Sequence, residues 1–101
     1  MARVEFSPGV FDDLERFRAH LEDHEVDPPS ISTRIAQLIS AIRVLAGSPE
    51  IGRPAGRGSR ELIVGKRASG YVVLYRYVPQ LELVLILAVR HQREERYRPR
   101  R

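Results

Sequence analysis

Three apolar runs in the second half of the chain set its hydrophobic pattern. They cover residues 60–64, 71–78 and 83–89 and are rich in Val, Ile, Leu and Tyr, the side chains favoured in β-strands. Glycines within 65–70, and Pro79 with its neighbour, separate the runs and predict tight connections. The pattern therefore predicts a three-stranded antiparallel meander. Because the third run is apolar at nearly every position, we expect an inner strand that is covered on both faces.

The first half of the chain predicts a short strand and two amphipathic helices. Apolar and polar residues alternate at the N-terminus, which suits a strand with one buried face. Ser7 as N-cap and Pro8 at the first helical position then begin a helix that should end near His24. A second helix begins within 27–30 and ends at Gly47 as C-cap. The first turns of the first helix carry negative charge that the helix dipole favours, at Asp12, Asp13 and Glu15.

The predicted element order is β-α-α-β-β-β. It indicates an α+β domain in which a two-helix hairpin packs on one face of a small antiparallel sheet. The opposite sheet face has no predicted cover, so it is a candidate docking surface. A chain of 101 residues suits one domain, 1–101, with a basic C-terminal segment at 91–101.

Composition narrows the class of protein. The chain lacks cysteine, which excludes disulfides and thiolate metal sites, and it has no long apolar run or signal-peptide pattern, so we expect a cytoplasmic protein. Residues 1–50 carry five Lys/Arg against nine Asp/Glu, and residues 51–101 carry twelve against four, which gives about −4 and +8. The basic half would attract a polyanion or an acidic protein, or it is simply a solvated face.

Motifs for common chemistry are missing from the sequence. It has no nucleotide-binding loop, metal-spaced histidine cluster or nucleophile elbow, and we expect no cofactor and no metal. His20 and His24 lie four residues apart on the first helix, a spacing compatible with metal binding, but solvated side chains are the simpler interpretation. His91 ends the last strand among arginines and is a candidate general acid or base.

The hairpin geometry predicts where three arginines and one histidine lie. It sets Arg60 opposite Tyr75 or Arg76, and Arg90 opposite Gly70. Arg60 and Arg76 would then lie at one end of the sheet, roughly 20 Å from Arg90 and the histidine that follows it. These side chains could not serve one small active site.

Arg76 has a structural interpretation. We expect it opposite Val84, on the strand face of its apolar neighbours, where it would be partly buried and paired with a carboxylate such as Glu61. Arg60, Glu61 and Arg76 are therefore candidates for structural or partner-binding roles.

Five segments together resemble one family. They read VEFSPGVFDDL, GRP, RELIVG, GYVVLYRYV and VLILAVRHQRE, and they are similar to the RelE/ParE toxin superfamily of bacterial type II toxin–antitoxin systems. The resemblance covers nearly the whole chain and has the same element order. It implies a small toxin that a cognate antitoxin binds and neutralises in a hetero-oligomer. It also implies one of two targets: ParE-type members poison DNA gyrase, whereas RelE-type members cut mRNA in the ribosome.

The resemblance separates the two branches at three positions. RelE-like nucleases carry lysines where this chain has Ile63 and Gly65, and an arginine where it has Val72. None of these three residues can stabilise a charged transition state or take up a proton. The strands resemble ParE-type members more, so the sequence favours a gyrase inhibitor that is not an enzyme.

Two alternatives remain open. One is a RelE-like ribosome-dependent mRNA endonuclease, for which the resemblance leaves Arg67, His91, Arg93 and Tyr97 as candidate catalytic residues. The other is an antitoxin-bound module whose toxicity has decayed. In the ParE interpretation the C-terminal segment contacts the target, or else it is a frayed basic tail. The candidate target-contact residues are Arg90, His91, Arg93, Arg96, Arg98, Arg100 and Arg101.

Overall fold

The computed structural model describes residues 1–65 and 70–92, and it confirms the predicted element order. A two-residue strand before the meander was not predicted. No helix within the described residues is both long and apolar enough to cross a membrane. The elements are β1 (Arg3–Phe6), α1 (Gly9–Asp23), α2 (Pro28–Val44), β2 (Arg53–Pro54), β3 (Ser59–Val64), β4 (Tyr71–Val78), a 3₁₀ turn (Pro79–Leu81) and β5 (Leu83–His91).

The five strands form one sheet in the order β1-β5-β4-β3-β2. β1 runs parallel to β5, and every other pair is antiparallel. β5 is an inner strand, as predicted. Its two faces differ, however: Val84 and Ile86 are buried, whereas Leu83 and Leu85 are half-buried. The expectation that both faces are covered is therefore confirmed only in part: the helices cover one face, and on the other face Ala88 is buried while its neighbours along that face of β5 are half-buried.

The core lies between the helices and one sheet face. Leu38 and Ile42 of α2 are fully buried there, as are Tyr75 of β4 and Ile86 of β5. Their apolar area, removed from water, supplies most of the force that holds the layers together. Along β3 and β4, successive side chains point alternately to the helix side and to the open face. The side chains on the helix side pack in or against the core. A shift of one residue would therefore exchange the side chains that can contact a partner for those of the core.

The two helices begin differently. α2 has Asp27 as its N-cap, and the Asp27 carboxylate accepts hydrogen bonds from the Ser30 N–H at 3.0 Å and the Ser30 hydroxyl at 2.8 Å. α1 has no side-chain cap. The predicted capping role of Ser7 is wrong, because its hydroxyl instead donates to the Leu87 carbonyl at 3.2 Å. α2 also ends earlier than predicted, at Val44.

A bulge in β5 changes the predicted strand register. Leu74 lies opposite Ala88 and Tyr75 lies opposite Ile86, so Leu87 is the extra residue. The first hairpin has the predicted register, with Arg60 opposite Tyr75. The second hairpin is displaced by the bulge and by the 3₁₀ turn.

Candidate functional site on the open sheet face

Three residues form a row across the open face of the meander. Ile63 of β3 lies opposite Val72 of β4, and Val72 lies opposite Arg90 of β5. With Arg53 and Gln92 they line a shallow depression of about 290 Å³. Ile63 is 42% exposed and Val72 is 2% exposed, so the depression has an apolar floor and a polar rim.

Glu61 joins the two arginines of this depression. Its carboxylate lies 3.1 Å from Arg53 Nη2 and 3.8 Å from Arg90 Nη2. Arg90 Nη1 also donates to the His91 carbonyl at 3.3 Å. The Glu61 and Arg90 side chains are only 14% and 13% exposed. One half-buried carboxylate thus lies between two guanidinium groups, and the rim of the depression keeps an excess of positive charge.

Arg76 does not pair with Glu61, so that hypothesis is wrong. Its cross-strand neighbours are Ser59 and Leu85, neither of which carries a charge. Arg76 is exposed, and its Nη2 donates to the Arg57 carbonyl at 2.5 Å. Arg90 takes the place next to Glu61 because it reaches across the open face from β5.

The register also corrects the predicted separation of the arginines. Arg90 lies opposite Val72 instead of Gly70, and Arg76 lies opposite Leu85 instead of Val84. Val72, which lies opposite Arg90, is three residues along β4 from Tyr75, which lies opposite Arg60. Arg60 and Arg90 are therefore separated by about 10 Å along the strand direction, and not by roughly 20 Å as predicted.

Arg60 nevertheless lies on the other side of the sheet from Arg90. It alternates with Glu61 along β3, and its Nη1 donates to the Gly52 carbonyl at 2.8 Å and the Glu50 carbonyl at 3.2 Å. In the same loop, the Gly52 N–H donates to the Tyr75 hydroxyl at 2.8 Å. Arg60 thus holds the loop that precedes β3 and does not share a site with Arg90.

His91 also lies on the helix side, away from the depression. Its ring contacts Tyr71 edge-on with centroids 5.3 Å apart, and it lies 5.7 Å from the ring of His20. The rings of His20 and His24 are 4.2 Å apart. Within residues 1–65 and 70–92, no group of three or more His, Asp or Glu residues is arranged to hold a metal ion.

Sequence reasoning missed two residues of the site, Arg53 and Gln92. Arg53 belongs to the GRP segment, but its two-residue strand is too short to produce a periodic signal. Gln92 extends β5 beyond its last pair, and its N–H donates to the Gly70 carbonyl at 3.0 Å. The remaining predicted site residues lie outside the described part of the chain: Arg67, Arg93, Arg96, Tyr97, Arg98, Arg100 and Arg101.

Residues 4–96 match a family described as the ParE toxin of the type II toxin–antitoxin system, parDE. The chain belongs to the ParE toxin family. This match covers most of the chain, including both helices and every strand of the meander. It agrees with the resemblance seen in the sequence segments.

Individual relatives carry names from both branches of the superfamily. Toxin RelE3 of Caulobacter vibrioides is 36% identical over 97 residues, which span 95% of this chain and 100% of that protein. The chromosomal ParDE system of P. aeruginosa contains a similar fold, with a TM-score of 0.75 at 16% identity over 90% of this chain and 96% of that chain. The RelBE2 toxin–antitoxin complex of Mycobacterium tuberculosis gives a TM-score of 0.56 at 23% identity, over 90% and 98%.

The fold brings together two of the three positions at which the sequence resemblance expects charges in a nuclease. In this ParE-family chain, Ile63 and Val72 are direct cross-strand partners in the depression. Gly65 follows β3 with a φ of +85°, a backbone conformation that suits glycine. Two of the positions where the resemblance places nuclease charges thus form an apolar row, next to Arg90.

Proposed function

We propose that this chain is a toxin that inhibits DNA gyrase without catalysing a reaction and that a cognate antitoxin neutralises it. The observation that carries the proposal is the apolar row formed by Ile63 and Val72. Membership of the ParE family also supports a gyrase inhibitor.

The chemistry of the depression argues against RNA cleavage there. Cleavage requires a group that takes up a proton, a group that gives one, and charge that stabilises the transition state. Arg53 and Arg90 can supply positive charge, but a guanidinium has no acceptor atom with which to take up a proton. The Glu61 carboxylate is bound between these two arginines.

The nearest other ionisable side chains lie on the helix side of the sheet or stay protonated near neutral pH. His91 is on the helix side, at the ring of Tyr71. Burial raises the pKa of the Tyr71 and Tyr75 phenols, so both stay protonated near neutral pH. Within the described residues, the depression therefore has no pair of groups suited to general acid–base chemistry.

A ribosome-dependent ribonuclease is the second candidate. The name of the 36% identical relative, Toxin RelE3, favours it. This function would depend on Arg67, His91, Arg93 and Tyr97. Of these, His91 alone lies in the described residues, and its position on the helix side would require RNA to bind there and not in the depression.

The positive charge of the sheet half and the open face of the sheet support an antitoxin as partner. The sheet half carries about +8, and Arg53 and Arg90 stand at the rim of an apolar depression. A segment with acidic and apolar side chains would match this surface. Solved structures with a similar fold are toxin–antitoxin complexes, which supports the same partner class.

Induced expression in bacteria without antitoxin distinguishes the candidate functions. A gyrase inhibitor should arrest growth and induce the SOS response, while mRNA ends stay unchanged. Ribosome-positioned mRNA cuts and rapid loss of translation, without SOS induction, would support the ribonuclease instead. Normal growth at a confirmed protein level would show that toxicity has decayed.

A further inference from the structure

The turn between β2 and β3 presents an arginine in an uncommon backbone conformation. Gly56, Arg57 and Gly58 have φ values of +85°, +53° and +76°. Among the described residues, the other two non-glycine residues with positive φ, Glu25 and Glu82, end helical segments, where this conformation is common. At Arg57 it has a steric cost that glycine would avoid. The turn therefore needs support from the residues around it.

Hydrogen bonds supply that support. The Ala55 N–H donates to the Ser59 carbonyl at 2.9 Å, and the Gly56 carbonyl accepts from the Ser59 N–H at 3.0 Å and from the Ser59 hydroxyl at 2.7 Å. From the neighbouring strand β4, Arg76 Nη2 donates to the Arg57 carbonyl at 2.5 Å. These bonds fix the backbone of the turn and hold the Arg76 guanidinium against it.

The N–H groups of this turn are left available. Those of Gly56, Arg57 and Gly58 have no acceptor within residues 1–65 and 70–92. Successive N–H groups in a turn form a concave site that suits an anion. Arg76 also keeps further donors, because a guanidinium has five N–H groups and one of its nitrogens binds the Arg57 carbonyl. Backbone and side-chain donors therefore lie together at one turn.

The two arginines of the turn carry positive charge without a compensating carboxylate. Arg57 and Arg76 are both exposed, and neither forms an ion pair with a carboxylate of the described residues. Arg53 and Arg90 differ, because they share the Glu61 carboxylate. The turn therefore offers two positive charges that a negatively charged ligand can neutralise.

A nucleic-acid backbone matches these donors. A phosphate presents several acceptor oxygens around one charge, and a guanidinium binds such oxygens through two parallel hydrogen bonds. The wider surface suits a chain of phosphates, since Arg76 and Val72, which lies opposite Arg90, are four residues apart on β4, about 13 Å along the strand. One acidic side chain would reach only one of these arginines. The charge of about +8 on the sheet half attracts such a polyanion.

We propose that the turn at residues 56–58, together with Arg76, binds the phosphate backbone of duplex DNA. Arg57 and Arg76 bind phosphate oxygens, and the N–H groups of the turn complete the site. Contacts of this kind do not read the base sequence. Duplex DNA is favoured over a single strand because it carries more phosphate charge per unit length. The proposal goes beyond gyrase inhibition and does not rest on it, because the isolated chain would bind DNA.

Fluorescence anisotropy with a labelled DNA duplex tests this site. The purified chain at low salt should bind the duplex with a micromolar Kd. The variant Arg57→Gln/Arg76→Gln should bind about tenfold more weakly or worse, and its plot of log affinity against log salt concentration should be less steep by about 2, roughly one for each lost phosphate contact. Arg57→Gly should fold normally and still weaken binding, since glycine adopts this φ without steric cost.

The matched control is Arg34→Gln/Arg43→Gln, which removes the same charge at exposed positions of α2. Its affinity should change by about threefold at most, because charges away from the contact are screened by salt. Circular dichroism of each variant checks that it is folded. A wild-type chain that does not bind the duplex at low salt would overturn the proposal. So would equal loss of affinity in the two double variants, or tighter binding to single-stranded RNA of the same length.

Discussion

The buried carboxylate of Asp13 connects the first helix to the sheet. Its side chain is almost fully buried, and its Oδ2 accepts a hydrogen bond from the Val89 N–H at 2.8 Å. Oδ1 accepts from Arg16 Nη1 at 3.0 Å. Val89 lies just past the bulge residue Leu87, whose carbonyl accepts from the Ser7 hydroxyl. Side chains from the start of the chain therefore satisfy backbone groups where the bulge interrupts the ladder.

Replacing Asp13 by alanine should lower the free energy of unfolding by about 2–4 kcal/mol. The substitution leaves the buried Val89 N–H without this acceptor and removes the ion pair with Arg16. The control is Asp12→Ala, because Asp12 is exposed and lies in the same turn, and its effect should be about 0.5 kcal/mol or less. Urea denaturation measures both, and equal midpoints for the two variants would contradict the assigned role.

The burial of Asp13 could have been suspected from the sequence, but not its partner. Val10, Asp13 and Phe17 follow helical spacing, so Asp13 falls on the apolar stripe of α1. Its negative charge near the helix start was attributed instead to the favourable interaction with the helix dipole. The hydrogen bond to Val89 joins residues 76 apart in sequence, and it depends on a bulge that apolar periodicity does not reveal.

At the level of elements, the start of α2 depends on pH through its N-cap residue, Asp27. Hydrogen bonds from the Ser30 hydroxyl and then the Ser30 N–H hold the pKa of Asp27 below its ordinary value. The folded chain therefore binds a proton at Asp27 less readily than the unfolded chain does. The stabilisation that Asp27 gives to α2 is complete above the ordinary pKa of about 4, and it is lost as the pH falls through the lower folded pKa.

This linkage predicts how N-cap variants respond to acid. The Tm of the wild type should exceed that of Asp27→Ala at pH 6, and the difference should narrow as the pH falls below about 4. Asp27→Ser is the matched control, because a serine cap does not titrate, and its Tm difference from Asp27→Ala should stay constant. Thermal unfolding between pH 6 and pH 3 measures both differences. A wild-type difference that is independent of pH would contradict the linkage.

Sequence patterns predicted the elements better than their contacts. The helices, the meander and the first hairpin register follow from apolar spacing and turn residues, and the structure confirms them. The second register did not follow, because the 3₁₀ turn and the Leu87 bulge move β5 relative to β4. That shift places Arg90 beside Glu61 and leaves Arg76 exposed. The row formed by Ile63 and Val72 was accessible from sequence because it depends only on the first hairpin.

The whole molecule separates its charges between its two halves. Residues 1–50, which contain both helices, carry about −4, and residues 51–101, which contain most of the sheet, carry about +8. On the acidic half, Arg18 is already paired with Glu15 and Glu22 within α1. The basic half supplies the rim of the depression and the C-terminal arginines. Long-range attraction should therefore orient a negatively charged partner towards the sheet half.

Neutralising C-terminal arginines tests their proposed role in target contact. The triple variant Arg96→Gln/Arg98→Gln/Arg100→Gln should weaken gyrase inhibition by about tenfold or more, if these side chains contact the target. A triple variant with the same net charge, Arg18→Gln/Arg34→Gln/Arg43→Gln, should keep wild-type inhibition. Titration of each purified variant in a supercoiling reaction gives the comparison. Equal loss in both variants would indicate a general charge effect and not a contact made by the C-terminal segment.

We propose that this ParE-family chain acts on gyrase and does not cut RNA. The most direct test uses two parallel reactions. In the first, the purified chain is added to bacterial DNA gyrase with relaxed plasmid and ATP. In the second, it is added to bacterial ribosomes that translate a defined mRNA. We predict loss of supercoiling in the first reaction and no new mRNA ends in the second. Unchanged supercoiling together with cuts positioned by the ribosome would contradict the claim.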